Sequence, residues 1–199
     1  MSDKTRWDAK YAAGVYAQRP HPSAYLQEHR QDLESSIGRC AADLACGRGR
    51  NSWYLASLGF DVDAYDVSSV GLSLASQADY GYADVPGKIA WHERDLLTDG
   101  IPETARYDVV IMIRFVALNL LRGIQQHLAP GGVVLVEEHM IYEGPEQIVG
   151  PRSERFRVAP GELVSAIDGL DTIDSFEGLV TDPDGDQAAV ARIIARKPH

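Results

Sequence analysis

The segment Asp43-Leu44-Ala45-Cys46-Gly47-Arg48-Gly49-Arg50-Asn51 is followed by a short amphipathic run and then by Asp61-Val62-Asp63-Ala64-Tyr65-Asp66. It sets an acid, a glycine turn and a second acid in an order that suits a nucleoside-bearing ligand. Gly47 and Gly49 permit a sharp turn off a strand and a close approach of backbone to ligand, while a helix starting near Asn51 leaves N–H groups free for an anionic group. Asp66 closes the next strand, where a carboxylate accepts both hydroxyls of a ribose. Two details argue against a dinucleotide. Counting from Gly47, Ser52 stands where G-x-G-x-x-G has its third glycine, and Asp43 just before the turn would repel a pyrophosphate. A carboxylate there suits a cationic ligand, one carrying an ammonium and a sulfonium. A loop that only turns the chain is the plainer reading of Gly-x-Gly alone; the two acids favour the ligand site.

Holding these residues requires alternating strands and helices. Residues 40 to 46 are nearly all apolar, as in a central strand buried on both faces. Trp53, Leu55, Ala56 and Leu58 place apolar groups on a helix that Gly59 can end, and residues 60 to 67 read as the second strand. Ser68 or Ser69 caps a helix fading near Gly81. Strands follow over 88–94 and 107–115, then a helix over 118–128 stopped by Pro130-Gly131-Gly132, and a strand over 133–138. A short helix opens at Pro160-Gly161-Glu162 and runs through Ile167. Strands over 172–180 and 187–196 flank an Asp-Pro-Asp-Gly-Asp turn and must pair antiparallel. The expected fold is α/β, a Rossmann-like seven-stranded, mostly parallel sheet with a C-terminal antiparallel hairpin and helices on both faces, in one domain over 1–199. Residues 38–199 form its core. Residues 1–37, with Trp7, Tyr11, Tyr16, Tyr25 and Pro20-His21-Pro22, fit either a lid across the cleft or a helix covering the sheet edge.

With 45% hydrophobic and 24% charged residues, the 199-residue chain has the make-up of one globular domain. Its apolar runs fall short of the ~20 residues a membrane helix needs. The polar opening lacks a signal-peptide core, so a cytoplasmic protein is expected. A net charge of −10 argues against holding a nucleic-acid backbone. Arg152, Arg155 and Arg157 form a local exception, an anion pocket or a solvated loop. Cys40 and Cys46 are expected as free thiols on one strand, Cys40 in the packed layer and Cys46 in the turn, and no metal site is expected. Oligomeric state is not legible.

The same motifs, with Arg6-Trp7-Asp8, Asp95-Leu96, Tyr107-Asp108-Val109, Leu128-Ala129-Pro130-Gly131-Gly132 and Val158-Ala159-Pro160-Gly161-Glu162-Leu163 in order, give a resemblance over nearly the whole chain. The chain resembles a class I S-adenosylmethionine-dependent methyltransferase of the small tellurite-resistance and thiopurine methyltransferase-like type. That resemblance implies S-adenosylmethionine as cofactor and a small-molecule methyl acceptor. Gly47 and Gly49 would face the methionine portion, Asp43 its ammonium, Asp66 the ribose, and Asp95, Leu96, Val67 and Ser68 the adenine. Trp7, Tyr11, Ala45, Cys46, Arg50, Asn51 and Ile113 complete the cofactor set. The catalytic group stays open: Glu137, His139 and Tyr11 are the main candidate bases, with Glu138 and His21 behind them, and Arg114 a contact for an anionic substrate. A sensor that binds the cofactor without methyl transfer, and an NAD-dependent oxidoreductase, are the alternatives.

Overall fold

The computed structural model describes residues 2–82 and 84–199. Among them, seven strands form one sheet: β1 (Cys40–Leu44), β2 (Asp61–Asp66), β3 (Ile89–Glu93), β4 (Tyr107–Ile113), β5 (Leu128–His139), β6 (Asp171–Thr181) and β7 (Gln187–Arg196). The order is β3-β2-β1-β4-β5-β7-β6, with β7 alone running against the other six. The chain winds outward one way from β1 to β3 and the other way from β4, so a crevice opens beyond the carboxyl ends of β1 and β4.

Eight α-helices accompany the sheet among the described residues: α1 (Asp3–Ala12), α2 (Ala24–Glu28), α3 (Arg30–Glu34), α4 (Arg50–Ser57), α5 (Ser69–Ser76), α6 (Leu96–Asp99), α7 (Leu118–Arg122) and α8 (Glu162–Ala166). None is long and apolar enough to cross a membrane. The central strands are apolar on both faces because both are covered. Val110, Met112, Val134 and Val136 pack toward Leu121 and Leu163; Val109, Ile111, Val133 and Leu135 pack toward Leu26, Leu33 and Leu55. Each large aliphatic side chain so buried contributes about 1.5–3 kcal/mol. That rigid sheet fixes the strand ends on which the crevice is built.

The expected seven-stranded α/β architecture is present, with local departures. The helix expected over 118–128 is α7 alone, broken at Gly123 and followed by a 3₁₀ turn, Ile124–Gln126. Pro130-Gly131-Gly132 does not precede β5 but lies within it. Leu128 already pairs with Tyr107 while Val133 pairs with Val109, so the intervening residues bulge, with Gly131 at φ +74°. Helix α5 ends at Ser76 rather than near Gly81. Cys40 is exposed rather than packed, and Cys46 lies beyond β1; both are free thiols.

The lead divides its labour. Helix α1 docks on α5: Asp8 accepts from the Ser68 hydroxyl at 2.6 Å, and Lys4 pairs with Glu93 at 2.8 Å. Further on, Tyr25, Leu26 and Leu33 bury themselves against the sheet face. Residues 2–37 thus pack partly against α5 and partly on the sheet face.

Candidate active site

At the carboxyl ends of β1 and β4 the structure encloses a cavity of about 170 Å³. Its floor is the glycine turn. Gly47 takes φ +57°, and a Cβ there would sit 2.8 Å from the Tyr11 hydroxyl; only glycine lets Tyr11 close over the turn. Ala45 and Arg114, each just past the end of its strand, hold φ +61° and +60°. Non-glycine residues pay about 1 kcal/mol or more for that conformation, and such strain collects at functional sites.

Asp66 ties the turn to the end of β2. One carboxylate oxygen accepts from Gly47 N–H and the other from Ser68 N–H, both at 2.8 Å. Each oxygen keeps further acceptor capacity, and the group lines the cavity. At 5% exposure, burial holds its pKa above the usual carboxylate range against the pull of those two N–H donors. On the same side Val67, Asp95 and Leu96 line the wall. Asp95 caps α6 by accepting from Leu97 N–H at 3.1 Å, a helix that the apolar-polar pattern did not reveal. Trp7 stacks on Tyr11 with ring centroids 5.6 Å apart, and both close the cavity from above. Burial raises the Tyr11 phenol well above its ordinary value, so it stays a neutral hydroxyl.

At the other end stand Ile113, Arg114, Phe115 and His139. Arg114 donates from Nε to Glu137 at 2.9 Å, from Nη1 to His139 Nδ1 at 2.9 Å and from Nη2 to Asp182 at 3.1 Å. The second Glu137 oxygen takes Arg192 Nε at 2.6 Å. Glu137 is thus an anchor clasped by two guanidiniums. His139 is driven down to about 3 by burial and then by Arg114, Arg157 and Arg19, which leaves it neutral and weakly basic. Glu138 points to the opposite face, 1% exposed; Oε1 accepts from Phe115 N–H at 3.0 Å, while Oε2 finds no partner among the described residues. Its burial pushes the carboxyl well above the ordinary range.

Most residues named from the sequence converge here. Trp7, Tyr11, Ala45, Cys46 and Gly47 line the cavity, as do Arg50, Asn51, Asp66 and Val67, and so do Asp95, Leu96, Ile113, Arg114 and His139. Others do not. Asp43, expected beside the cofactor's ammonium, is 1% exposed behind the turn and accepts from the Ser52 hydroxyl at 2.6 Å. Desolvation is the main cause of its rise to about 7. Gly49 does not border the cavity; a Cβ there would strike Trp91 at 2.7 Å. Ser68 is buried as the cap of α5, and Glu137 borders a smaller neighbouring cavity. His21 borders that smaller cavity too. Tyr16, part of the aromatic lead, lines the main cavity, and so do Asp3, Arg19, Arg48, Arg94 and Leu97, which had not been singled out for it. Arg48 had a signal, its place between the two glycines; Arg19 had only its nearness to Pro20-His21-Pro22. No three His, Cys, Asp or Glu side chains gather as a metal site among the described residues.

Known proteins resemble this chain in sequence and in fold. Residues 41–132 match the model of a methyltransferase domain. The cypemycin N-terminal methyltransferase of Streptomyces sp is 36% identical over 150 residues, covering 69% of this chain and 58% of that protein. TehB from Haemophilus influenzae superposes with a TM-score of 0.68 at 20% identity, over 92% of this chain and 65% of that one. The [4+2]-cyclase SpnF also reaches 0.68, at 16% identity over 98% and 94% of the two chains. The chain thus spans less than two thirds of the cypemycin enzyme and of the TehB chain. A methyltransferase-domain match over the segment that builds the glycine turn and a methyltransferase relative identify the chain as a member of the class I S-adenosylmethionine-dependent methyltransferase family, and its seven-stranded fold is shared with TehB.

Proposed function

We propose that this protein transfers the methyl group of S-adenosylmethionine to a small-molecule acceptor. One observation carries the reading: Gly47, Asp66 and the Asp95-Leu96 pair border one cavity under Trp7 and Tyr11. The side chains fit the cofactor. Asp66 retains acceptor capacity for a ribose diol, and Val67 and Leu96 offer apolar faces for a base. When bound, the cofactor supplies a methyl on a sulfonium, which departs as a neutral thioether.

The protein's share is alignment. Its residues hold the reactants in line and exclude water, and positioning of that kind is worth about 7–11 kcal/mol. Tyr11, kept protonated, donates rather than abstracts. His139, near pKa 3, is a poor proton acceptor at neutral pH, and both oxygens of Glu137 are engaged by Arg114 and Arg192. The acceptor therefore attacks without a strong base from the cleft, as a soft nucleophile or a group already deprotonated. Residues 2–37 serve as the acceptor-side cover, and the chain works as one domain.

The test is release of S-adenosylhomocysteine with a panel of thiols, selenite, tellurite, amines and carboxylates. A second reading, cofactor binding without methyl transfer, is favoured by the engagement of Glu137 and His139 and by the occurrence of this fold in a cyclase. Release of S-adenosylhomocysteine with any acceptor rejects it. Absence of cofactor binding at millimolar concentration rejects both readings.

A further inference from the structure

The main cavity and its smaller neighbour share three bordering residues, Arg19, Arg50 and Arg114. Gly47, Asp66, Asp95 and Leu96 border only the larger one, so the shared rim lies away from the proposed adenosine end. Four arginines face four carboxylates around this rim, but the pairing is uneven and leaves one arginine without a carboxylate partner. Glu137 is used by Arg114 and Arg192, and Asp182 by Arg114. Arg19 pairs with Asp184 at 2.9 Å and with Asp186 at 3.6 Å in the β6–β7 turn. Arg50 has no carboxylate within 4.0 Å among the described residues; its one hydrogen bond runs from Nη1 to the carbonyl of His21 at 2.7 Å.

A guanidinium has five N–H donors, and one of Arg50's is used. Burial disfavours its charge, and the nearby Arg114 and Arg19 disfavour it further, while Glu137 and Asp182 offset them at longer range. A half-buried guanidinium with no carboxylate partner, bordering two cavities, is placed to receive an anion.

We propose that this junction is a carboxylate-binding subsite for the methyl acceptor, with Arg50 the principal donor and Arg19 beside it, so that the preferred acceptors are small organic anions. The proposal rests on the methyl-transfer reading and narrows it. It assigns Arg50 to the acceptor end rather than to the cofactor, and gives the Glu137–Arg114–Asp182 network the task of holding the rim in place.

The test is calorimetry on protein saturated with S-adenosylhomocysteine, titrated with 3-mercaptopropionate and benzoate, each against its neutral amide. The acids are expected to bind about 10- to 100-fold tighter than the amides, the range for charge-assisted hydrogen bonds. Arg50→Gln should bring acid and amide to parity, and Arg19→Gln should narrow the gap, each with melting checked by circular dichroism. Acids no tighter than amides on the wild-type protein would overturn the subsite whatever the variants do. So would an Arg50→Gln loss of affinity for S-adenosylhomocysteine but not for 5′-methylthioadenosine, since the arginine would then serve the cofactor's own carboxylate. If S-adenosylhomocysteine itself fails to bind, the methyl-transfer reading falls first and the subsite with it.

Discussion

Replacing Asp66 by Asn separates what this side chain does for the fold from what it does for the ligand. Its two oxygens hold Gly47 N–H and Ser68 N–H at 2.8 Å in a site 5% exposed. Asn keeps one acceptor and turns its NH₂ toward the other N–H, leaving a buried donor unmet at a cost of about 1–3 kcal/mol. Part of that is returned, because burial already disfavours the charged carboxylate. A net loss of stability near the lower end, about 1 kcal/mol, is expected in thermal melts. Binding should suffer separately. Losing a paired acceptor for the ribose diol weakens the complex by about 1–3 kcal/mol, or roughly 5- to 150-fold in Kd. Calorimetry with S-adenosylhomocysteine and with 5′-methylthioadenosine makes the assignment specific, for the two share the ribose and differ in the amino-acid portion. Both should weaken by the same factor in a variant shown to be folded. Unchanged affinity for both would refute the reasoning outright. Weakening confined to S-adenosylhomocysteine would move Asp66 from the ribose to the amino-acid end.

Three further outcomes follow from the same geometry. Glu138 is a buried acid with a raised pKa, so the folded state holds its proton to higher pH than the unfolded chain does, and stability falls as pH rises above the ordinary carboxylate range. Glu138→Gln should therefore melt above the wild type at pH 8 and together with it near pH 4; identical melting across the whole range would contradict a buried, protonated carboxyl. Asp43 carries the same sign over a window from its ordinary 3.8 to about 7, which at 1.36 kcal/mol per pH unit caps the loss at about 4 kcal/mol. Asp43→Asn, still able to accept from Ser52, should flatten that part of the stability–pH curve and leave S-adenosylhomocysteine affinity within a factor of about two, whereas a large affinity loss would return Asp43 to the ligand. Gly47→Ala imposes a left-handed conformation on a β-carbon and presses it against the Tyr11 hydroxyl, so a stability loss of about 1–2 kcal/mol and a weaker cofactor complex are expected; wild-type melting and Kd would show that Tyr11 moves aside freely.

What the sequence disclosed and what it withheld divide along a physical line. The places of the glycine turn and of Asp66 were legible because they are set locally: a strand end, a positive φ and an acid one strand away suffice. The antiparallel tail was legible from the Asp-Pro-Asp-Gly-Asp turn for the same reason, although the insertion of β7 between β5 and β6 was not. Asp43 shows the limit. Being near the turn in sequence says nothing about which side of β1 its side chain leaves, and the structure turns it back onto Ser52 of α4 rather than forward into the cavity. The helix over 118–128 failed because leucine spacing cannot outweigh Gly123, and the Pro-Gly-Gly segment became a bulge because Leu128 had already found Tyr107. Hardest to see was the rim, which draws Arg19, Arg50, Arg114, Glu137 and Asp182 from five separated stretches of chain. A net charge of −10 speaks for the surface average and weighs against a polyanion laid along it. The cavity lining obeys no such average: it gathers five arginines against three aspartates. A net charge summed over the whole chain therefore does not decide which ligand charge a pocket favours, because Coulomb forces in a pocket of low dielectric are set by the few groups within several ångströms and those outside are screened.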